Sequence, residues 1–199
     1  KGRKRPMCAN WFSPLTFLDS NLFRLRQIDD LFGGRIQTLA SNAFNIAAAT
    51  KDADLLVGSV LIPGALTPKL VTEAMVKTMK PGSAIVDVAI DQGGCIEPTA
   101  KHGATYHDKP TFKYPVNGGE VVCYSVGNMP GAVARTSTFT LTNATMPYMV
   151  DLANKGWKKA CQDDKALARG INTYDGKVYF KGVSDALGYE LHCTCDILK

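Results

Sequence analysis

The 199-residue chain has no long hydrophobic run. A membrane-spanning helix needs about 18 consecutive apolar residues, and no segment approaches that length. Residues 7–18 are interrupted by Asn10, Ser13 and Pro14, which excludes a secretory signal core there. With 45% hydrophobic and 21% charged residues, the composition is typical of a globular protein, and we expect a cytoplasmic location.

Beyond the amino terminus the chain has little net charge, because basic and acidic residues nearly balance. The formal net charge is +5, and Lys1, Arg3, Lys4 and Arg5 supply four of those charges. The remainder of the chain carries only about +1, so we expect no nucleic-acid partner.

The six cysteines include no C-x-x-C pair. In a chain of this size that spacing favours reduced thiols over a disulfide framework. His192, Cys193 and Cys195 offer a soft metal only three donors near the chain end, so we assign no metal site.

Apolar runs alternate with segments of helical spacing through the first two thirds of the chain. This alternation predicts a parallel α/β sheet, because strands joined by helices pair in parallel. The predicted strands are residues 16–19, 35–39, 54–61, 84–90 and 121–126, and the run at 54–61 has the composition of a strand buried on both faces. The predicted helices begin after Ser20 and span 43–50 and 70–79, whereas 97–119 is interpreted as a long polar loop.

The pattern changes after Pro130. Residues 136–155 have helical spacing with Pro147 inside, residues 157–161, 165–168 and 183–187 form shorter helices, and 174–177 is a hairpin turn. We therefore divide the chain into a leader at 1–15, a partial nucleotide-binding domain at 16–135 and a helical carboxy-terminal segment at 136–199.

Three strand-to-loop junctions, at residues 54–64, 87–95 and 127–132, point to one edge of the sheet, where open α/β proteins bind ligands. At that edge Asp91 is a candidate for proton exchange, because partial desolvation raises a carboxylate pKa; a surface-loop role is the alternative. Asp19 ends the first strand, where it either accepts hydrogen bonds from two ribose hydroxyls or only caps the next helix. An acid at this position favours NAD over NADP.

Residues 16 to about 190 resemble the carboxy-terminal portion of the alanine dehydrogenase and pyridine nucleotide transhydrogenase family. The matching motifs lie at residues 18–19, 31–35, 61–65, 79–83, 86–95, 128–132 and 141–148. Within them, Asp91-Gln92-Gly93-Gly94-Cys95 favours the dehydrogenase branch.

The resemblance implies NAD-dependent oxidation of L-alanine to pyruvate and ammonium, in a homo-oligomer that is a hexamer in the complete enzyme. It implies that Asp91 is the catalytic acid. It further implies cofactor contacts at Asp19, Arg24, Ser41, Val60, Leu61, Val88, Ala89, Ile90, Val126, Gly127, Asn128 and Met129.

The family pattern also includes parts that this sequence lacks. A substrate domain, a first strand and a G-x-G-x-x-G turn should precede residue 16, yet no glycine lies between Gly2 and Gly33. Where the family offers an Arg towards the cofactor, this chain has Ala100 beside Lys101. In the strand order 3-2-1-4-5-6 the absent strand is central, and its loss leaves two inner strands without a neighbour.

The predicted fold is therefore an incomplete Rossmann-like parallel sheet, without its first strand and glycine-rich turn, followed by a mainly helical segment. We expect the leader at 1–15 to be unrelated to the family and the chain alone to be inactive. The alternative is a non-catalytic remnant that serves as a nucleotide-binding or oligomer-interaction module.

Overall fold

A computed structural model describes residues 15–60, 62 and 66–199. The strands are β1 Thr16–Asp19, β2 Gln37–Ala40, β3 Leu55–Gly58, β4 Ala84–Asp87, β5 Thr111–Val116, β6 Gly119–Tyr124, β7 Thr173–Tyr174 and β8 Lys177–Val178. The helices are α1 Leu22–Phe32, α2 Ala43–Asp52, α3 Glu73–Val76, α4 Glu97–His102, α5 Ala134–Asp163, α6 Lys165–Arg169 and α7 Lys181–Leu187. The predicted leader and Leu61 lie outside the described residues, apart from position 15.

The parallel strands form two separate sheets. β1 pairs with β2, and β3 continues through β4 and β6 to the antiparallel edge strand β5. Among the described residues, neither β1 nor β3 has a strand on its second edge. This arrangement confirms the predicted α/β class and agrees with a parallel sheet that lacks a central strand.

The core lies where α3 and α4 cover the larger sheet. Val76, Met79, Ile85, Ile96 and Val121 are almost fully buried there. Burying each such side chain is worth about 1.5–3 kcal/mol, so this cluster holds β4 and β6 against the helices.

The prediction that residues 54–61 are buried on both faces is wrong. Leu55 and Val57 in β3 are 55% and 53% exposed. Their side chains alternate with the half-buried Leu56 and the buried Gly58, because successive residues of a strand point to opposite faces. Only one face of β3 is therefore covered by the described residues.

The interpretation of residues 97–119 as one loop is also wrong. Helix α4 starts with Pro98 in its first turn, where a missing N–H is tolerated. β5 then alternates exposed and half-buried side chains with Phe112, Tyr114 and Val116 inward, and Pro115 fits because β5 is an edge strand.

Two predicted helix boundaries are corrected. The cap of α1 is Asn21 rather than Ser20, since the Asn21 Oδ1 accepts from the Arg24 N–H at 3.1 Å. The predicted helix at 70–79 shrinks to α3, because the Leu70 and Val71 N–H groups donate to the Cys95 carbonyl and hold that part of the chain extended.

The carboxy-terminal segment has the predicted helices and hairpin. α5 contains Pro147 and is interrupted at Gly156, whose φ of 72° lies in the left-handed region. The β7–β8 hairpin follows, and α7 ends at the left-handed Gly188 as predicted. No helix in the described part of the chain is both long and apolar enough to span a membrane.

A disulfide joins Cys193 and Cys195, so the expectation of reduced thiols is wrong for this pair. Their Cα atoms lie 5.2 Å apart, within the usual range for a disulfide, although only one residue separates them. Cys95, Cys123 and Cys161 are free and buried.

Candidate functional site at the carboxyl ends of the strands

Three parallel strands end side by side. Gly58 of β3 lies opposite Asp87 of β4, and Tyr124 of β6 lies opposite Val86. The Val88 N–H extends the pairing by donating to the Gly58 carbonyl at 2.8 Å. The predicted convergence of three junctions at one edge is confirmed for these strand ends.

Asp87 is a fully buried carboxylate at the centre of this edge. Its oxygens accept from the N–H groups of Ala89 at 3.2 Å, Cys95 at 3.1 Å and Ile96 at 3.2 Å, and from the Thr99 hydroxyl at 2.6 Å. A buried charge is tolerated only when such donors replace water. Asp87 therefore binds both ends of the segment that carries Asp91, which we call the 90–95 turn (residues 90–95).

Glycine is required beside this carboxylate. Gly94 has a φ of 74°, and a Cβ there would lie 2.8 Å from Asp87 Oδ2. At Gly58 a Cβ would collide with the Cys95 Sγ, which lies against the same carboxylate. Burial, together with the charge of Asp87, raises the pKa of the Cys95 thiol to about 12, so this thiol is a packing group rather than a nucleophile.

The backbone carbonyls of the turn are satisfied from its other side. Lys69 donates to the Gly93 carbonyl at 2.5 Å and to the Gly94 carbonyl at 2.6 Å. The Thr67 N–H donates to Gln92 O at 3.0 Å, and the Leu70 N–H donates to Cys95 O at 2.9 Å. Residues 67–71 thus run along the turn and supply donors to four consecutive carbonyls.

Asp91 lies in a short 3₁₀ helix, Ile90–Gln92, and its side chain is exposed. The predicted partial desolvation of Asp91 is therefore absent in this chain, because nothing among the described residues covers the outer face of the turn. The 3₁₀ helix leaves the Asp91 side chain exposed beyond the carboxyl end of β4, and its role as the catalytic acid stays a prediction.

Asp19 and Ser41 meet at the carboxyl ends of the smaller sheet. The Ser41 N–H donates to the Asp19 carbonyl at 2.9 Å, which extends the β1–β2 pairing. The half-buried Asp19 side chain accepts from the Asn21 N–H at 2.8 Å through Oδ1. Arg24 lies exposed on α1, and its guanidinium donates to Gln27 Oε1 at 3.1 Å rather than to Asp19.

The other predicted cofactor contacts divide by exposure. Val88 is 45% exposed, whereas Ala89, Ile90 and Val126 are buried and Val60 is half-buried. Beyond β6, Gly127 and Asn128 are exposed, Met129 is half-buried, and Asn128 caps the 3₁₀ turn at 129–133 by accepting from the Gly131 N–H at 3.2 Å.

Lys101 belongs to a separate cluster. Its ammonium lies 3.0 Å from Glu73 Oε1. The hydrogen bond between Lys101 and Glu73 lowers the pKa of the Glu73 carboxyl. The same hydrogen bond raises the pKa of the Lys101 ammonium. Lys101 therefore ties α4 to α3, and whether it replaces the family's arginine at the cofactor stays untested by this contact.

Sequence reasoning missed the roles of Asp87, Thr99 and Lys69. A usable signal for Asp87 was its place within an apolar run, since an acidic residue in a buried strand requires donors. No local signal exists for Lys69 or Thr99, whose partners lie 24 or more residues and 12 residues away, respectively. The described residues contain no group of three or more His, Cys, Asp and Glu side chains arranged to hold a metal ion.

The family model described as alanine dehydrogenase/PNT, C-terminal domain, matches residues 9–181. The chain belongs to this family. The match begins inside the predicted leader, most of which lies outside the described residues, so the boundary after residue 15 stays a prediction.

Individual relatives agree with the family assignment. An alanine dehydrogenase of Bilophila wadsworthia (strain 3_1_6) is 99% identical over 185 residues, which are 93% of this chain and 49% of that protein. An alanine dehydrogenase of Bacillus subtilis (strain 168) is 58% identical over 184 residues, covering 92% of this chain and 47% of that protein. A solved L-alanine dehydrogenase structure matches with a TM-score of 0.73 and 44% identity, over 88% of this chain and 46% of that one. The chain thus spans about half the length of the relatives it matches.

Alanine dehydrogenases use a pyridine nucleotide, and one end of the described chain fits such a ligand. Oδ1 of Asp19 is occupied by the Asn21 N–H, while Oδ2 has no donor among the described residues and suits a pair of ribose hydroxyls. The turn between β1 and α1 contains no glycine and is capped by Asn21, so it offers no glycine-lined pyrophosphate cradle; the family pattern places that cradle before residue 16, outside the described residues.

Proposed function

We propose that this chain is the cofactor-binding portion of an NAD-dependent alanine dehydrogenase. In the overall reaction, L-alanine, water and NAD⁺ give pyruvate, ammonium, NADH and a proton. NAD supplies the hydride acceptor when it is bound. The observation that carries the proposal is the exposed Asp91, which lies on a turn held by the buried Asp87 at the carboxyl ends of three parallel strands.

Asp19 supports the choice of NAD over NADP. A carboxylate at the end of this strand accepts hydrogen bonds from ribose hydroxyls but repels a 2′-phosphate. Ser41 lies beside it, and Arg24 lies on the neighbouring helix surface, available to the adenine end. Residues 60–61, 88–90 and 126–129 would line the path towards the nicotinamide, with Asn128 offering an amide and Met129 an apolar wall.

Asp91 would exchange the proton that accompanies oxidation and would stabilise the cationic imine before water adds to it. Its exposure in this chain means that the required desolvation would come from the substrate side of a complete site. We therefore propose that this chain alone is inactive, and that substrate-holding groups come from outside the described residues. A cytoplasmic location and a homo-oligomer, a hexamer in the complete enzyme, remain predictions.

Reconstitution tests this assignment. The chain is mixed with a separately produced amino-terminal half of the Bilophila wadsworthia relative, and NADH absorbance is followed with L-alanine and NAD. We expect no turnover from the chain alone, turnover from the mixture, and at least about a hundredfold loss with Asp91→Asn, as general acid–base catalysis contributes on that order. Asp175→Asn is the matched control, because Asp175 is an exposed carboxylate in the β7–β8 turn. Full turnover with Asp91→Asn would remove Asp91 from the mechanism.

Nucleotide choice is tested separately by calorimetric titration of the mixture. Asp19→Asn should weaken NAD binding while leaving NADP binding unchanged or stronger, because the charge that repels a 2′-phosphate is gone. Asp29→Asn, an exposed acid on α1, serves as the control. Equal effects of both substitutions on the two nucleotides would contradict the proposed role of Asp19.

A further inference from the structure

The 90–95 turn is held from both sides by side chains of opposite charge. The Asp87 carboxylate accepts from the N–H of Ala89, which immediately precedes the turn, and from the N–H of Cys95, its last residue. The Lys69 ammonium donates to the carbonyls of Gly93 and Gly94 within the turn. Hydrogen bonds to charged groups are stronger than those between neutral groups, so these are the strongest single restraints on the turn.

The turn needs such restraints because its own backbone is adaptable. Gly93 and Gly94 are consecutive residues with φ of 91° and 74°. Two adjacent glycines have many accessible conformations, and the segment keeps one geometry only if outside contacts select it. The restraints on the glycine pair therefore act on Asp91, which is separated from Gly93 only by Gln92.

We propose that Lys69 and Asp87 are positioning residues that fix the orientation of the Asp91 carboxylate during catalysis. This inference rests on the proposed function for the part that concerns catalysis. Lys69 acts through the Gly93 and Gly94 carbonyls, and Asp87 acts through the Cys95 and Ile96 N–H groups, with Thr99 orienting Asp87 through its short hydrogen bond. Neither residue exchanges a proton with substrate.

Hydrogen exchange of the chain itself tests the structural half. Lys69→Met keeps the length of the side chain and removes the donor. We expect the Gly93, Gly94 and Cys95 amides to exchange about 10-fold faster, with β6 amides unchanged. Lys80→Met is the matched control, because the exposed Lys80 likewise donates to a carbonyl (Asp52 O, 2.8 Å) and to a second oxygen (Asp54 Oδ1, 3.1 Å) in another part of the chain.

Kinetics of the full-length Bilophila wadsworthia relative, altered at the aligned positions, tests the catalytic half. The change matching Lys69→Met should lower kcat by about 10- to 100-fold and leave the KM for NAD within about twofold, since small misplacements of a catalytic group have effects of this size. The pH–rate profile should shift, and the change matching Lys69→Arg should restore most of the rate. Loss of fold alone would lower the active fraction without moving the pH profile.

The outcomes separate the two claims. If the Asp91→Asn change leaves the relative fully active, the proposed function fails, whatever the exchange data show. If Asp91→Asn abolishes turnover but the Lys69→Met change behaves like Lys80→Met in exchange, rate and pH profile, the positioning role is overturned. A rise in the KM for NAD at constant kcat would also overturn it, because Lys69 would then contact the nucleotide directly.

Discussion

Replacing Gly94 with alanine tests whether the Asp87 carboxylate is as tightly held as its hydrogen bonds indicate. The substitution has two costs. The left-handed φ of 74° strains any residue with a Cβ by roughly 1–2 kcal/mol. The new Cβ also lies 2.8 Å from Asp87 Oδ2 and 3.2 Å from the Ala100 Cβ, so the carboxylate must move away from its donors. Weakening that buried set costs about a further 1–3 kcal/mol.

Gly82→Ala isolates the second cost. Gly82 has a similar φ of 82°, and nothing lies within 4 Å of a Cβ built there. In urea unfolding followed by circular dichroism, we expect Gly94→Ala to lose about 1–3 kcal/mol more than Gly82→Ala. In a chain of this size that difference corresponds to about 2–12 °C in Tm. Equal losses in the two variants would refute the idea of a rigidly held Asp87, and in an Asp87→Ala background the two losses should converge.

Three further predictions follow from shifted pKa values. Burial raises the pKa of Cys95 to about 12 and that of Cys123 to about 11, so both thiols should resist iodoacetamide at pH 8 in the native chain and react quickly in urea; fast native labelling by mass spectrometry would contradict this. The unfolded chain loses these thiol protons first, near the usual pKa of 9.0, so stability should fall as pH rises from there towards about 12. Lys101→Met should raise the pKa of Glu73 in a carbon-13 NMR titration, because the lysine hydrogen bond is the main cause of its depression; an unchanged titration would exclude that ion pair in solution.

Much of the sheet was predictable because its strands are short apolar runs that end at polar residues or glycine. The predicted strands at 54–61 and 84–90 contain β3 and β4, although the observed strands end three residues earlier, at Gly58 and Asp87. The same logic placed Asp91 at the ligand edge. These features depend on neighbouring residues in the sequence, and a single sequence carries that information.

The errors come from features that depend on distant partners. Leu70 and Val71 have helical composition, yet their N–H groups bond to Cys95 O and stay extended. Residues 111–116 alternate between exposed and half-buried side chains, which is the pattern of a strand. Pro115 argues against a strand there unless the strand is known to lie at the edge of a sheet. Asp91 was expected to be partly desolvated, whereas it is exposed among the described residues.

The long helix α5 shows where local pattern stops being sufficient. At about 100° per residue, Phe139, Met146 and Val150 form one apolar stripe, and Leu141, Tyr148 and Leu152 form another on the opposite face. All six are at least 36% exposed, and α5 packs mainly on α6 and the 129–133 turn.

A helix with apolar residues on two opposite faces needs two covering layers, because either stripe left in water forgoes its burial energy. The outward face of β3, with Leu55 and Val57, has the same requirement. Helical spacing predicts that α5 forms, but the surfaces that would cover it lie beyond the described residues. The Asp87 carboxylate finds all its donors among the described residues, whereas the two apolar stripes of α5 stay exposed there, so local sequence accounts for the first feature and not for the stability of the second.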